Sequence, residues 1–198
     1  MKLFLAASLT FLWGEKEFVV IEDVYPASFA TTPHGWVPTS LYAHEILLID
    51  PCSYPLLLSS YEKFKSILAN IPSQNLFSIL SVMSTYLHTE VFTISHNRKQ
   101  TIRDEIALQK CPCLPLDFFI AKRIGVCRHY VLMAAYLLAQ LQVDEAFIFP
   151  KICIVRQNLS SGRHAWLQIG EWHFDPYWNL ILNLNNPADK EFLHRLYK

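Results

Sequence analysis

Arg123-Ile124-Gly125-Val126-Cys127-Arg128-His129-Tyr130-Val131-Leu132-Met133-Ala134-Ala135-Tyr136-Leu137-Leu138-Ala139-Gln140-Leu141 is the stretch from which the architecture of this chain is read. Residues 131–141 are apolar on nearly every face of a helix, and such a helix belongs at the centre of a core. Gly125 lets the backbone turn sharply just before it. Cys127 then falls in the first helical turn, where backbone N–H groups lack helical partners and the helix dipole favours negative charge. A thiol attacks as thiolate, so a cysteine placed there is a candidate nucleophile. Taken alone, the same residue is more commonly a buried and inert helix cysteine.

Working outward, the period changes after the helix. Residues 146–155 read as a strand, with Pro150 marking an edge or a bulge. Residues 158–162 read as a loop, 163–169 as a second strand, Gly170-Glu171 as a tight turn, and 172–175 as a third strand. Upstream, Tyr61, Phe64, Ile67 and Leu68 recur at helical spacing until Pro72. Ser73 is expected to cap a second helix reaching about His88, with Leu76, Phe77, Leu80 and Met83 on one face. Residues 101–110 suit a third, shorter helix, and 111–117 a connector. Residues 18–21 and 46–49 are short β-type runs. The order predicts an α+β fold, with helices packed on an antiparallel sheet and the nucleophile at the N-terminus of a central helix. One domain covers residues 1–198, with 1–60 as an N-terminal elaboration and 61–198 as the core.

Composition narrows the function. Hydrophobic residues make up 52% of the 198, enough for a sizeable core and too many for a disordered chain. Lysine plus arginine number 17, as do aspartate plus glutamate, and no block of like charge stands out. The pattern gives no phosphate-binding footprint and no polybasic anchor, so neither nucleic acid nor membrane is an expected partner. The cysteines are Cys52, Cys111, Cys113, Cys127 and Cys153. Their odd number, and one close pair spaced too tightly for zinc or redox use, predict a reducing, cytoplasmic setting and no cofactor or metal. Residues 1–13 have the basic start and apolar run of a secretion signal, but Gly14-Glu15-Lys16-Glu17 offers no small-residue cleavage site. Secretion, or delivery into a host cell, stands as the alternative location.

Two later segments supply partners for the thiol. Gly162-Arg163-His164-Ala165-Trp166 places a histidine near the start of one strand, and Trp172-His173-Phe174-Asp175-Pro176 places a carboxylate at the end of the next. With a bulge or a register offset, His164 and Asp175 become cross-strand neighbours. The carboxylate would then orient the imidazole, which would take the thiol proton. Trp166 and Trp172 could wall the site and exclude water. Arg128 suits a substrate carboxylate, or equally a structural salt bridge. His129 and His173 are weaker candidates for the base. Cys127, His129 and His164 lack the spacing of a zinc site.

These three segments, in this order and separated by 37 and 11 residues, resemble the transglutaminase-like superfamily of cysteine enzymes. The resemblance covers residues 116–179, about a third of the chain. It implies a papain-like core, Cys127 as nucleophile, His164 as base and Asp175 as its orienting acid. It implies acyl transfer on protein or peptide amides through a thioester, resolved by water or by an amine. Hydrolysis, as a peptidase or deamidase, is favoured over cross-linking because no additional module for an amine donor is evident. A bacterial effector that modifies a host protein, and an inactive scaffold on the same fold, are the other uses of such a chain. The chain departs from the papain pattern where Ala121-Lys122-Arg123-Ile124 stand in place of an upstream glutamine. The oxyanion would be held by the Cys127 N–H and by a second donor among Trp13, Trp36, Gln100 and Gln109.

Overall fold

The structure is a computed structural model that describes residues 8–13, 16–22, 36–38, 46–48, 55–72, 75–93, 113–159 and 162–196. Its strands are β1 (Ser8–Trp13), β2 (Lys16–Glu22), β3 (Trp36–Pro38), β4 (Ile46–Leu48), β5 (Cys113–Pro115), β6 (Ile152–Leu159), β7 (Gly162–Ile169), β8 (Trp172–Asp175) and β9 (Leu180–Asn183). Its α-helices are α1 (Pro55–Leu68), α2 (Leu76–Tyr86), α3 (Leu116–Lys122), α4 (Cys127–Val143) and α5 (Pro187–Leu196). A single π-helical turn, Leu87–Val91, continues α2.

The fold class is α+β, as the sequence predicts. Strands β6 to β9 form an antiparallel meander, which β2 extends by pairing parallel to β6, with β1 outermost. The sheet is therefore mixed at one end. A second, smaller sheet joins β3, β4 and β5. Among the described residues no single helix is long and apolar enough to cross a membrane.

Helix α4 is the centre of the core. Residues 129–139 and Leu141 are all buried. The helix lies on β7, with Leu167, Ile169 and Phe174 of the sheet in the same apolar cluster. Burial on this scale, at roughly 25 cal/mol per Å² of apolar surface, holds the helix against the sheet. Helices α1 and α2 pack beside it through Leu57, Phe64, Leu80 and Met83.

Local chemistry moved several boundaries from the sequence reading. Helix α1 starts at Pro55, a residue preorganised for a first helical position, and not near residue 61. Its N-terminus is closed from a distance: the buried carboxylate of Asp117 accepts the N–H groups of Leu56 (2.7 Å) and Leu57 (3.0 Å). The cap of α2 is Asn75, whose side-chain oxygen accepts the Ser78 N–H at 2.9 Å. Ser73 and the helix expected over residues 101–110 lie outside the described residues. Phe77 faces outward, 51% exposed, while Ile79 joins the buried side of α2. Within the expected connector, residues 113–115 form β5.

Strand β6 begins at Ile152, not at residue 146. Glu145 adopts a left-handed conformation (φ 54°) after α4, and Pro150 has no N–H to give a ladder, so residues 146–150 run irregularly. At its far end β6 continues to Leu159, paired with Gly162, and only Ser160-Ser161 separate the two strands. The β7–β8 turn is as expected. Gly170 (φ 55°) is confined there, because a Cβ would come within 2.9 Å of Pro150. Strand β9 and helix α5 lie beyond the elements read from sequence.

Candidate functional site

Three chain segments meet where the N-terminus of α4 abuts the start of β7 and the end of β8. Val126, extended at φ −118° and ψ 179°, is the N-cap residue, and Cys127 is the first helical residue. Gly125 lies under Phe92, whose ring atoms would be 2.9 Å from any added Cβ. A larger residue there would push the turn outward. The thiol is half-buried.

His164 contacts the thiol on one side and the Asp175 carboxylate on the other. Its Nε2 hydrogen-bonds Asp175 Oδ2, which leaves Nδ1 for the sulfur. The β7–β8 register pairs Leu167 with Phe174 and Gln168 with His173. Continued by one step, it sets Asp175 across from Trp166 and diagonal to His164, a spacing that two long side chains can span. The register offset required for this contact is thus two residues.

Asp175 is fully buried and itself fixed. Its Oδ1 accepts the N–H groups of Tyr177 (3.0 Å) and Trp178 (3.1 Å), closing an Asx-type turn. The next carbonyl, of Pro176, accepts from His88 Nε2 at 2.9 Å, so the π-helical turn supports the same loop. The turn carries Trp178 over His164, with ring centroids 4.0 Å apart and planes 17° from parallel. Trp178 remains 40% exposed, so it forms an outer wall of the site. Asn179, at φ 55°, then returns the chain into β9.

The electrostatics follow from these contacts. Burial opposes ionisation of Cys127, but the hydrogen bond and charge of His164, the charge of Arg128 and the Ala165 N–H outweigh it, and the thiol pKa falls. Burial likewise opposes the His164 cation, and the Asp175 and Cys127 contacts overcome it, raising the imidazole to about 9. The direction for both members is towards thiolate and imidazolium. Cys153 is also a free thiol, but burial pushes its pKa up.

The other candidates from sequence separate clearly. Trp166 lies beside the site, its ring centroid 6.2 Å from that of His164. Arg128 is adjacent and half-buried. Trp172 is not brought to the site. It pairs with Ile169 at the turn end of the hairpin, about 17 Å along β7 from His164 at a strand's rise per residue, and packs on Phe77. His129 uses Nδ1 to accept the Val126 N–H, and its ring faces Phe119. His173 is fully buried and pushed down to about 4, chiefly by desolvation, so it remains neutral. Trp13 and Trp36 fall in β1 and β3, where the backbone alone is described, and Gln100 and Gln109 lie outside the described residues. Trp178 is the residue that sequence reading missed. The Asp-Pro-Tyr-Trp order, which places N–H groups two and three residues after an aspartate, was the available signal.

No protein-family model, no curated protein and no solved structure matches this chain.

Proposed function

We propose that the protein is a cysteine-dependent acyl-transfer enzyme of the transglutaminase-like kind, acting on protein or peptide amides. The observation that carries this reading is the series contact of Cys127, His164 and Asp175, made by residues far apart in the chain. The Cys127 sulfur attacks an amide carbonyl carbon. The carbonyl oxygen becomes an oxyanion facing the N-terminus of α4, where backbone N–H groups lack helical partners. The C–N bond breaks, the amine leaves with a proton from His164, and a thioester remains on Cys127. Water then adds to the thioester with His164 taking its proton, the acid leaves, and the thiol is restored. Asp175 holds the imidazole throughout.

The acceptor is water in this reading, which makes the enzyme a peptidase or deamidase. Trp166 and Trp178 flank His164, Arg128 follows the thiol in the chain, and these three would contact the substrate. A reducing compartment such as the cytoplasm suits a chemistry that requires a free thiol.

The test is labelling by a thiol-directed probe near neutral pH, with Cys153 as internal reference. Cys127 should label at least tenfold faster than Cys153, and His164→Ala should remove the difference. Equal labelling would leave a scaffold without an activated nucleophile. Intact-mass measurement on candidate substrate proteins then assigns the reaction. A gain of about one mass unit indicates deamidation, fragments indicate proteolysis, and a joined species indicates amine transfer.

A further inference from the structure

His129 lies two residues from the nucleophile and plays no part in the reaction above. It is fully buried. Its Nδ1 accepts the N–H of Val126 at 3.0 Å, and the backbone N–H of His129 donates to the Val126 carbonyl at 2.8 Å. Its ring centroid is 4.1 Å from that of Phe119 and 6.5 Å from that of Phe92. A Cβ on Gly125 would come within 3.3 Å of the His129 Cβ, so the turn before the nucleophile rests directly on this residue.

The position is the third helical residue, N3. In a capping box the side chain there reaches back to the N-cap N–H, and it is ordinarily Glu or Gln. The reciprocal half is absent here, because the Val126 side chain has no acceptor. Helix stability alone would favour an acid in the first turn, where it meets the positive end of the dipole. This helix has no acidic residue there. The negative charge at its N-terminus is to be the thiolate of Cys127, and a carboxylate in the same turn would compete with it.

We propose that His129 is a positioning residue for the nucleophile: it closes the N-terminus of α4 with an uncharged acceptor, fixing Cys127 without placing a second anion beside the thiolate. The inference rests on the reading of Cys127 as an activated thiol. It assigns a job to the histidine in the Cys-Arg-His sequence that is separate from proton transfer. It also explains why Nδ1 must stay unprotonated, since a protonated nitrogen could not accept the Val126 N–H.

Three full-length variants test it: His129→Gln, His129→Glu and His129→Leu. Each is compared with wild type by the pH dependence of iodoacetamide alkylation at Cys127, located by peptide mass, at a temperature where circular dichroism shows the fold intact. Gln keeps a neutral acceptor and should leave the midpoint of the profile near that of wild type. Glu keeps the acceptor but adds charge, and should raise the midpoint by about one pH unit, roughly a tenfold loss of rate below it. Leu removes the acceptor and loosens the turn that seats Cys127 against His164, and should raise the midpoint by a comparable amount. If Leu does not fold, the contrast between Gln and Glu decides the matter. Equal midpoints for Gln and Glu, or an unshifted profile for Leu, overturn the assignment while the activated thiol stands. A wild-type midpoint at the ordinary thiol value overturns both.

Discussion

Two buried histidines on the β7–β8 hairpin, one on each strand, are driven in opposite directions. His173, in mid-strand on β8, lies beside Trp166 and is held neutral, pushed down to about 4. His164, at the open end on β7, is raised to about 9. Desolvation opposes the cation at both positions. Both also feel the charge of Asp175. The difference is direct contact: His164 hydrogen-bonds Asp175 and Cys127, and the Asp175 charge alone does not rescue His173. A buried imidazole on this sheet becomes an acid only where carboxylate and sulfur bind it from both sides.

The comparison breaks most directly at Asp175. Asp175→Asn leaves the Tyr177 and Trp178 N–H groups an acceptor but removes the charge, and His164 should follow His173 towards the neutral form. The alkylation rate of Cys127 near pH 6 should fall about a hundredfold, the scale of losing a positioned acid–base partner. Circular dichroism should show an unchanged fold. Survival of the full rate would mean that Asp175 does not support the imidazolium.

His173 sharpens the opposite side. Its folded pKa lies below the unfolded value of about 6.5, so the unfolded chain binds more protons between about 4 and 6.5. Stability at this site is therefore lost as pH falls through that window, by up to about 1.4 kcal/mol per unit. His173→Gln should flatten the pH dependence of urea midpoints there while leaving Cys127 reactive. An unchanged slope would show that the His173 environment does not exclude the charge.

Smaller effects are expected at the tryptophans. Trp178→Ala removes the ring stacked on His164 and should slow Cys127 alkylation several-fold, in keeping with about 1 kcal/mol for such a pair. Trp172→Leu, at the turn end, should change the alkylation rate less than twofold and lower stability by about 1 kcal/mol through its lost packing on Phe77. Equal kinetic effects at the two residues would contradict the separation of the two hairpin ends.

The sequence carried the choice of candidate residues further than their geometry. Cys127 was legible because Gly125 and an apolar helix flank it, and the turn at Gly170 because a Gly-Glu pair separates two β-type runs. The register offset between His164 and Asp175 followed from the turn at Gly170-Glu171, but the Asx turn that holds the Asp175 carboxylate in place was not legible. For the same reason Trp178 was overlooked and Trp172 overvalued. One is carried to the site by hydrogen bonds that local periodicity does not encode, and the other is near it in sequence only. The start of β6 was misplaced because residues 146–149 are apolar enough for a strand, while the left-handed Glu145 and Pro150 divert the backbone.

The central claim is that sulfur, imidazole and carboxylate act as one coupled unit, and NMR titration of the His164 ring tests it most directly. In the wild-type protein His164 should lose its proton near pH 9, and in Cys127→Ala the midpoint should move down, because the sulfur is one of the groups that raise it. A midpoint near 6.5 in the wild type, unmoved by Cys127→Ala, would contradict the account.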